Sequence, residues 1–304
     1  MNKLDLSVNI AGVKWKNPIT TASGTFSIKD SSEFYDPSIL GAMTSKGVSS
    51  IAWSGNPSPR IAETYGGMLN SVGLQNGGVD YFIKNELPLY KSYDSNVIIN
   101  LAGHSIEEYV DVAAKLDKYD EIDMFELNIS CPNVKAGGIG FGTDPKLAYE
   151  VTKAVKAVIS KPLIVKLSPN VTDIKIIARA VEEAGADAIS LINTLLGMKI
   201  DINKGKFVLA NKTGGLSGPC VKPVAIRLVH EVRQVTNLPI IGLGGISTAE
   251  DVVEFLMAGA NAVAVGSATL MNPLAIVEIL EDLKSFMIEH NYTSIQDIKD
   301  AFKD

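Results

Sequence analysis

The chain has 304 residues, 46% of them hydrophobic and 20% charged, with a formal net charge of −6. That supply of apolar residues excludes a disordered chain, and the acidic balance argues against a nucleic-acid partner, which needs a basic face. Its two cysteines, Cys131 and Cys220, make no disulfide framework, no run reaches the roughly 18–20 apolar residues of a membrane helix, and charges interrupt residues 1–6 too early for a secretory leader; a soluble cytoplasmic protein with no membrane partner is expected.

In chain order, residues 4–8 and 13–15 flank Asn9-Ile10-Ala11-Gly12 and predict an N-terminal β-hairpin. Eight short apolar runs rich in β-branched residues follow, at 19–23, 42–48, 97–102, 124–130, 163–168, 188–194, 239–245 and 262–268. Continuous apolar runs suit parallel strands covered on both faces. Helical segments lie between them. Segment 105–118 opens with Ser105 and two acids, and 144–159 opens with Asp144-Pro145. Segment 172–184 stops at Gly185, while 247–258 opens with Ser247-Thr248-Ala249-Glu250, read as a capping box, and stops at Gly259. Two connections are long, 49–96 and 195–238. Each holds a helix, near 79–90 and 221–235, and the remainder is expected to be loop. The alternation predicts an α/β chain forming one (β/α)8 TIM barrel over residues 1–304, with long loops at its C-terminal face.

Function in such barrels sits where the strands exit at that face. The runs end in polar or small groups: Ser23-Gly24, Lys46-Gly47, Asn193-Thr194, Gly244-Gly245 and Gly266-Ser267. The third carries Asn100, the fourth Asn128 and then Cys131, the fifth Lys166. A single asparagine at a strand end commonly just satisfies loop backbone. A lysine within an apolar strand is costly to bury without an anion or strong acceptors, so Lys46 and Lys166 imply an anionic or electron-rich ligand in the barrel mouth. Gly244-Gly245 after the seventh strand and Gly266-Ser267 after the eighth are placed for a phosphate grip, and the lack of a Walker lysine motif points to a phosphorylated cofactor or substrate rather than an NTPase.

Cys131 follows the fourth strand in Asn128-Ile129-Ser130-Cys131-Pro132-Asn133. With an ordinary thiol pKa of about 8.5, a modest downward shift would make it a nucleophile or general base. Cys220 reads as a small buried hydrophobe. His104, His230 and His290 are scattered and no metal spacing surrounds them, so no metal site is expected.

Together these motifs resemble the class 1, flavin-dependent dihydroorotate dehydrogenases over essentially the whole chain. The resemblance is carried by Thr44-Ser45-Lys46-Gly47, Gly55-Asn56-Pro57 with Pro59-Arg60, and Asn70-Ser71-Val72-Gly73-Leu74-Gln75-Asn76. It continues through Asn128-Ile129-Ser130-Cys131-Pro132-Asn133-Val134-Lys135, Ile192-Asn193-Thr194-Leu195-Leu196-Gly197-Met198 and Gly214-Gly215-Leu216-Ser217-Gly218. Met68-Leu69 before Asn70, Ala136-Gly137-Gly138 after Lys135, and the Thr194–Met198 stretch are similar to the class 1B catalytic subunit rather than the fumarate-using class 1A homodimer. The serine-based, membrane-associated class 2 is disfavoured by Cys131.

The resemblance implies oxidation of (S)-dihydroorotate to orotate in pyrimidine (UMP) biosynthesis, with FMN as hydride acceptor and Cys131 as general base. It implies substrate contacts from Lys46, Asn70, Ser71, Val72, Gly73, Leu74, Asn128, Asn193 and Thr194, with Lys46 offering its cation to the carboxylate. It implies FMN contacts from Ser23, Lys46, Gly47, Asn100, Asn128, Lys166, Ile192, Gly218, Gly244, Gly245, Gly266 and Ser267, with Lys166 near the flavin N1–O2 edge. The glycine-rich loop 129–142 is expected to close over substrate. This sequence has no cysteine cluster for iron–sulfur ligation and no GxGxxG after a strand. FAD and a 2Fe-2S cluster are therefore expected on an electron-transfer subunit passing electrons to NAD, in a heterotetramer of two subunits of each kind. The alternatives are the class 1A enzyme, a flavin barrel acting on dihydropyrimidines or on dihydrouridine in RNA, and a binding module without catalysis. Lys46 and the asparagines argue against the dihydropyrimidines, and the acidic balance against RNA.

Overall fold

The computed structural model describes residues 4–130 and 139–303. Eight parallel strands close a barrel: β1 (Ile19–Thr21), β2 (Ala42–Thr44), β3 (Asn96–Leu101), β4 (Met124–Asn128), β5 (Leu163–Lys166), β6 (Ala188–Leu191), β7 (Ile240–Leu243) and β8 (Ala262–Val265). Each pairs with its sequence neighbour, and β8 returns to β1. All eight expected strands are present, each shorter at its C-terminal end than its apolar run, because the last residues of each run leave the ladder to build the barrel mouth.

Side chains alternate across each strand with period two, and the two sets meet different partners. Val97, Ile99 and Leu101 of β3 and Phe125 and Leu127 of β4 face outward into the main core shared with the helices. Ile98, Met124, Ile164, Ala188, Ile241 and Ala262 point inward and form a compact apolar layer low in the barrel. Ile10 and Trp15 join that layer with no exposed surface, so the N-terminal hairpin plugs the bottom of the barrel. Burying such side chains contributes about 1.5–3 kcal/mol each, which secures that end and leaves the mouth open for chemistry.

The hairpin differs from expectation in register. Its strands are Val8–Ile10 and Val13–Trp15, joined by Ala11 and Gly12 with φ of 51° and 88°. A two-residue turn with both central φ positive matches strand twist, so Asn9 and Ile10 belong to the strand rather than to the turn.

Helix boundaries follow their capping chemistry. Ser105 accepts from the Glu108 amide to start Ile106–Leu116, and Asp144 accepts from Lys146 and Leu147 to start Pro145–Lys156. The capping box lies one residue later than expected: Thr248 and Asp251 cap Ala249–Met257, because the Thr248 hydroxyl, not that of Ser247, accepts from the third helical amide. The expected helix at 79–90 is interrupted by a π-turn, Phe82–Glu86, just ahead of Pro88, which has no N–H to continue a regular ladder. Two C-terminal helices, Ala275–Glu289 and Ile295–Asp300, cover the barrel beyond the last strand; the Ile279, Leu283 and Met287 stripe of the first packs into the main core.

The long connections correct the expectation of loop. Leu195–Met198, Thr213–Ser217, Gly67–Asn70 and Ile61–Thr64 form a four-stranded antiparallel sheet above the mouth. It joins segments far apart in the chain, such as Gly215 opposite Asn70, 145 residues away. Its strands carry Gly67, Gly197, Gly214 and Gly215, which read as loop when each segment is taken alone. Among the described residues, no helix is long and apolar enough to cross a membrane.

Candidate active site

Above the apolar layer the inward positions turn polar: Asn100 on β3, Glu126 and Asn128 on β4, Lys166 on β5 and Ser190 on β6, all buried. Glu126 binds three of its neighbours. Its Oε2 accepts from Asn100 Nδ2 at 2.6 Å and lies 3.5 Å from Lys166 Nζ, and its Oε1 accepts from Ser190 Oγ at 2.7 Å. Lys166 also donates to Ser23 Oγ at 3.4 Å. Sequence reasoning missed Glu126 and Ser190. The period-two pattern held the signal, since Glu126 sits two residues from both Met124 and Asn128.

Because a carboxylate only accepts, Asn100 turns its NH2 towards Glu126 and its carbonyl outwards. That carbonyl accepts from Asn128 Nδ2 at 3.3 Å, and Asn128 Oδ1 accepts from Ser130 Oγ at 3.2 Å. The Ser130 oxygen accepts in turn from Asn193 Nδ2 at 2.8 Å, and Asn193 Oδ1 accepts the Thr194 amide at 2.8 Å. One chain of hydrogen bonds thus orders the polar groups from β3 to the end of β6.

Over this floor lies a cavity of about 280 Å³. Asn128 and Lys166 line its base, with Ser23 and Lys46 beside them. Asn70, Val72, Gly73 and Leu74 form one wall, and Ile192, Asn193 and Thr194 another. Ile61, Met68 and Leu216, from the antiparallel sheet, make an apolar roof that only the tertiary pairing brings there. The expected residues Gly47, Asn100, Ser71 and Gly218 stand behind the lining rather than in it. Gly47 lies against the Asn100 carbonyl and Leu74, and Asn100 backs Asn128. Ser71 is fully buried, and its hydroxyl has no hydrogen-bond partner among the described residues. Cys131 lies outside the described residues, as do residues 132–138 of its loop, while its end at 139–142 belongs to the helix Ile139–Thr143. Cys220 is exposed near Gly66, which corrects the expectation of a buried thiol: it lies in the middle of the short turn Pro219–Val221 on the surface instead of facing a core.

The wall at 70–76 is held by the second motif. Asn56 donates through Nδ2 to the Ser71 carbonyl at 3.0 Å, the Ser71 amide donates to the Arg60 carbonyl at 2.7 Å, and Arg60 reaches Gln75 Oε1 at 2.8 Å. At the opposite end, Gly244, Gly245, Gly266 and Ser267 border the cavity. Gly244 and Gly245 have φ of 127° and 82°, and a Cβ on Gly245 would sit 2.8 Å from the Gly218 carbonyl oxygen. The backbone there is bare and accessible, as close approach to an anion requires.

Lys222 clamps this end. Its ammonium lies 2.7 Å from Asp251 and 2.7 Å from Glu254, tying the helix Lys222–Arg233 to the helix Ala249–Met257. Hydrogen bonds to both carboxylates raise its pKa. Burial opposes ionisation of Asp251, but bonds from Lys222 and from the Ser247 and Thr248 amides outweigh it and hold that carboxyl below the ordinary aspartate value. Among the described residues, no cluster of three His, Cys, Asp or Glu side chains is arranged to hold a metal.

The dihydroorotate dehydrogenase family pattern matches residues 5–287 of this chain. The chain is 57% identical to the dihydroorotate dehydrogenase B (NAD(+)) catalytic subunit of Alkaliphilus metalliredigens (strain QYMF), over 98% of this chain and 99% of that one. It is 54% identical to the catalytic subunit of the same name from Oceanobacillus iheyensis (strain DSM 14371 / CIP 107618 / JCM 11309 / KCTC 3954 / HTE831), over 97% of each. It is 51% identical to that of Geobacter sp. (strain M21), over the full length of both.

Proposed function

The chain belongs to the dihydroorotate dehydrogenase family, and on that premise we propose that it oxidises (S)-dihydroorotate to orotate in pyrimidine biosynthesis, as the catalytic subunit of the NAD-linked form. The observation that carries the reading is one cavity that combines the Lys46 cation, an ordered set of asparagine amides and a bare glycine cradle. A ring of alternating N–H and C=O groups with one carboxylate is matched by that set: Lys46 meets the carboxylate, and Asn70, Asn128 and Asn193 meet the ring edge.

The residues fit FMN. Gly244, Gly245 and Gly266 offer backbone without a side chain in the way, Ser267 adds a hydroxyl beside them, a set suited to its phosphate, and Gly218 backs Gly245. Ser23, Asn128, Lys166 and Ile192, backed by Gly47 and Asn100, would hold the ring system and ribityl chain. When bound, FMN supplies the hydride acceptor for the substrate carbon next to the one that loses a proton. Lys166 places a cation where negative charge would develop on the ring. Cys131 takes the proton, and the roof of Ile61, Met68 and Leu216 excludes water from the cavity.

Residues 1–304 act as one FMN-binding catalytic barrel in the cytoplasm. The relatives' name, a catalytic subunit, implies a partner subunit; the family resemblance of the sequence motifs supports reading that partner as an electron-transfer subunit carrying FAD and a 2Fe-2S cluster, in an assembly of two subunits of each kind that passes electrons to NAD. The test is an anaerobic visible spectrum of the purified chain before and after dihydroorotate. Flavin absorbance that bleaches supports cofactor, substrate and half-reaction together. A flavin that stays oxidised would redirect the substrate assignment, and a colourless protein that gains no flavin on addition of FMN would remove the cofactor assignment.

A further inference from the structure

Lys166 does not enter the cavity as an isolated cation. Glu126 lies 3.5 Å from its ammonium, and both residues are buried inside the barrel, at 6% exposure for Glu126 and 4% for Lys166. The carboxylate itself is held by Asn100 at 2.6 Å and Ser190 at 2.7 Å, so it cannot swing away without abandoning two good bonds. Burying a carboxylate is costly unless it is paired and hydrogen-bonded, and here its partners are Lys166 in the cavity floor and Asn100 and Ser190 behind it. Lys166 lines that floor, whereas Glu126 does not.

We propose that Glu126 is a positioning residue that sets the charge the cavity presents: it offsets part of the Lys166 cation and, through Asn100, fixes which way the floor amides point. The electrostatic consequence is specific. A cation beside a bound flavin would favour the anionic reduced state, so its counter-ion would hold the reduction potential down. Glu126 therefore keeps the bound flavin reducing enough to hand its electrons onward. This proposal rests on the FMN-dependent reading above.

The experiment first confirms that wild-type protein loads FMN and is reduced by dihydroorotate; failure at that step sinks the functional reading and leaves Glu126 aside. The midpoint potential of bound FMN is then measured in wild type and in Glu126→Gln at full flavin occupancy. Losing the carboxylate should favour reduced over oxidised FMN by at least tenfold, a rise of about 30 mV for a two-electron couple. A purely structural role would lower the melting temperature and leave the potential of the loaded protein in place, so an unchanged or lower potential overturns the proposal.

Should Glu126→Gln fail to fold or to hold FMN, the folded yield and ligand-free melting of Glu126→Gln, Lys166→Gln and the double variant decide. A compensated pair predicts that the double variant, with no charge left uncompensated, is more stable than Glu126→Gln alone. A double variant as impaired as Glu126→Gln overturns the pairing.

Discussion

Asn193 donates through Nδ2 to the Ser130 hydroxyl at 2.8 Å, joining the segment after β6 to the segment after β4 beneath the cavity. The bond pins the Asn193 side chain, whose carbonyl already accepts the Thr194 amide. Asn193 is thus presented in one orientation before any ligand arrives, which lowers the ordering cost of binding.

Asn193→Ala removes a pre-oriented polar group from the wall. Orotate affinity should fall about tenfold, the value of one or two well-made hydrogen bonds, with FMN content unchanged. Orotate titration followed by the flavin spectrum checks it; an unchanged dissociation constant would remove Asn193 from the substrate contacts.

Cys131→Ala should leave FMN bound and reduce the rate of flavin reduction by dihydroorotate at least a hundredfold, the usual scale of losing a general base. Anaerobic stopped-flow reduction is the measurement. A rate close to wild type would mean that another group takes the proton.

Gly245→Ala places a Cβ 2.8 Å from the Gly218 carbonyl oxygen at a φ of 82°. The strain costs about 1–2 kcal/mol, and relieving it displaces the cradle backbone. FMN affinity should drop at least tenfold while riboflavin, which has no phosphate, is bound nearly as well as by wild type. Flavin fluorescence titration with the two compounds gives the ratio, and equal losses for both would contradict a phosphate cradle at this position.

Asp251→Asn tests the clamp on the same loops. Removing the carboxylate leaves Lys222 with Glu254 as its remaining acidic partner and weakens the bonds from the Ser247 and Thr248 amides that cap the helix Ala249–Met257, at a cost of about 1–3 kcal/mol. The pH dependence follows from the lowered pKa of Asp251. A depressed folded-state value stabilises the fold above the unfolded aspartate pKa of about 3.9, and that contribution disappears as pH falls through the folded value. Melting temperatures of wild type and variant should therefore differ by a constant amount from neutrality down to about pH 4 and converge below it. A gap that persists undiminished in stronger acid would show that the carboxylate charge is not what stabilises the clamp.

The eight strands, their order around the barrel and most helix starts were legible in the sequence, because they depend on local signals: apolar runs of strand length, capping residues, and glycines such as Gly185 and Gly259 that stop a helix. The residue types at strand ends were legible for the same reason, since a barrel strand reveals its exit by turning polar. The antiparallel sheet over the mouth was not, because Gly215 and Asn70 pair across 145 residues and no local pattern announces a non-local ladder. Glu126 escaped notice because one acid within a run of apolar residues carries no mark of its partner. Its meaning arises only when closure of the barrel brings β3, β4, β5 and β6 side by side and sets Asn100, Lys166 and Ser190 around it. Sequence by itself determined which elements form and which chemistry they carry to the barrel mouth. Tertiary structure alone decided which charges compensate one another and which way each amide faces, because those depend on distances between strands that the chain reaches only when the barrel is closed.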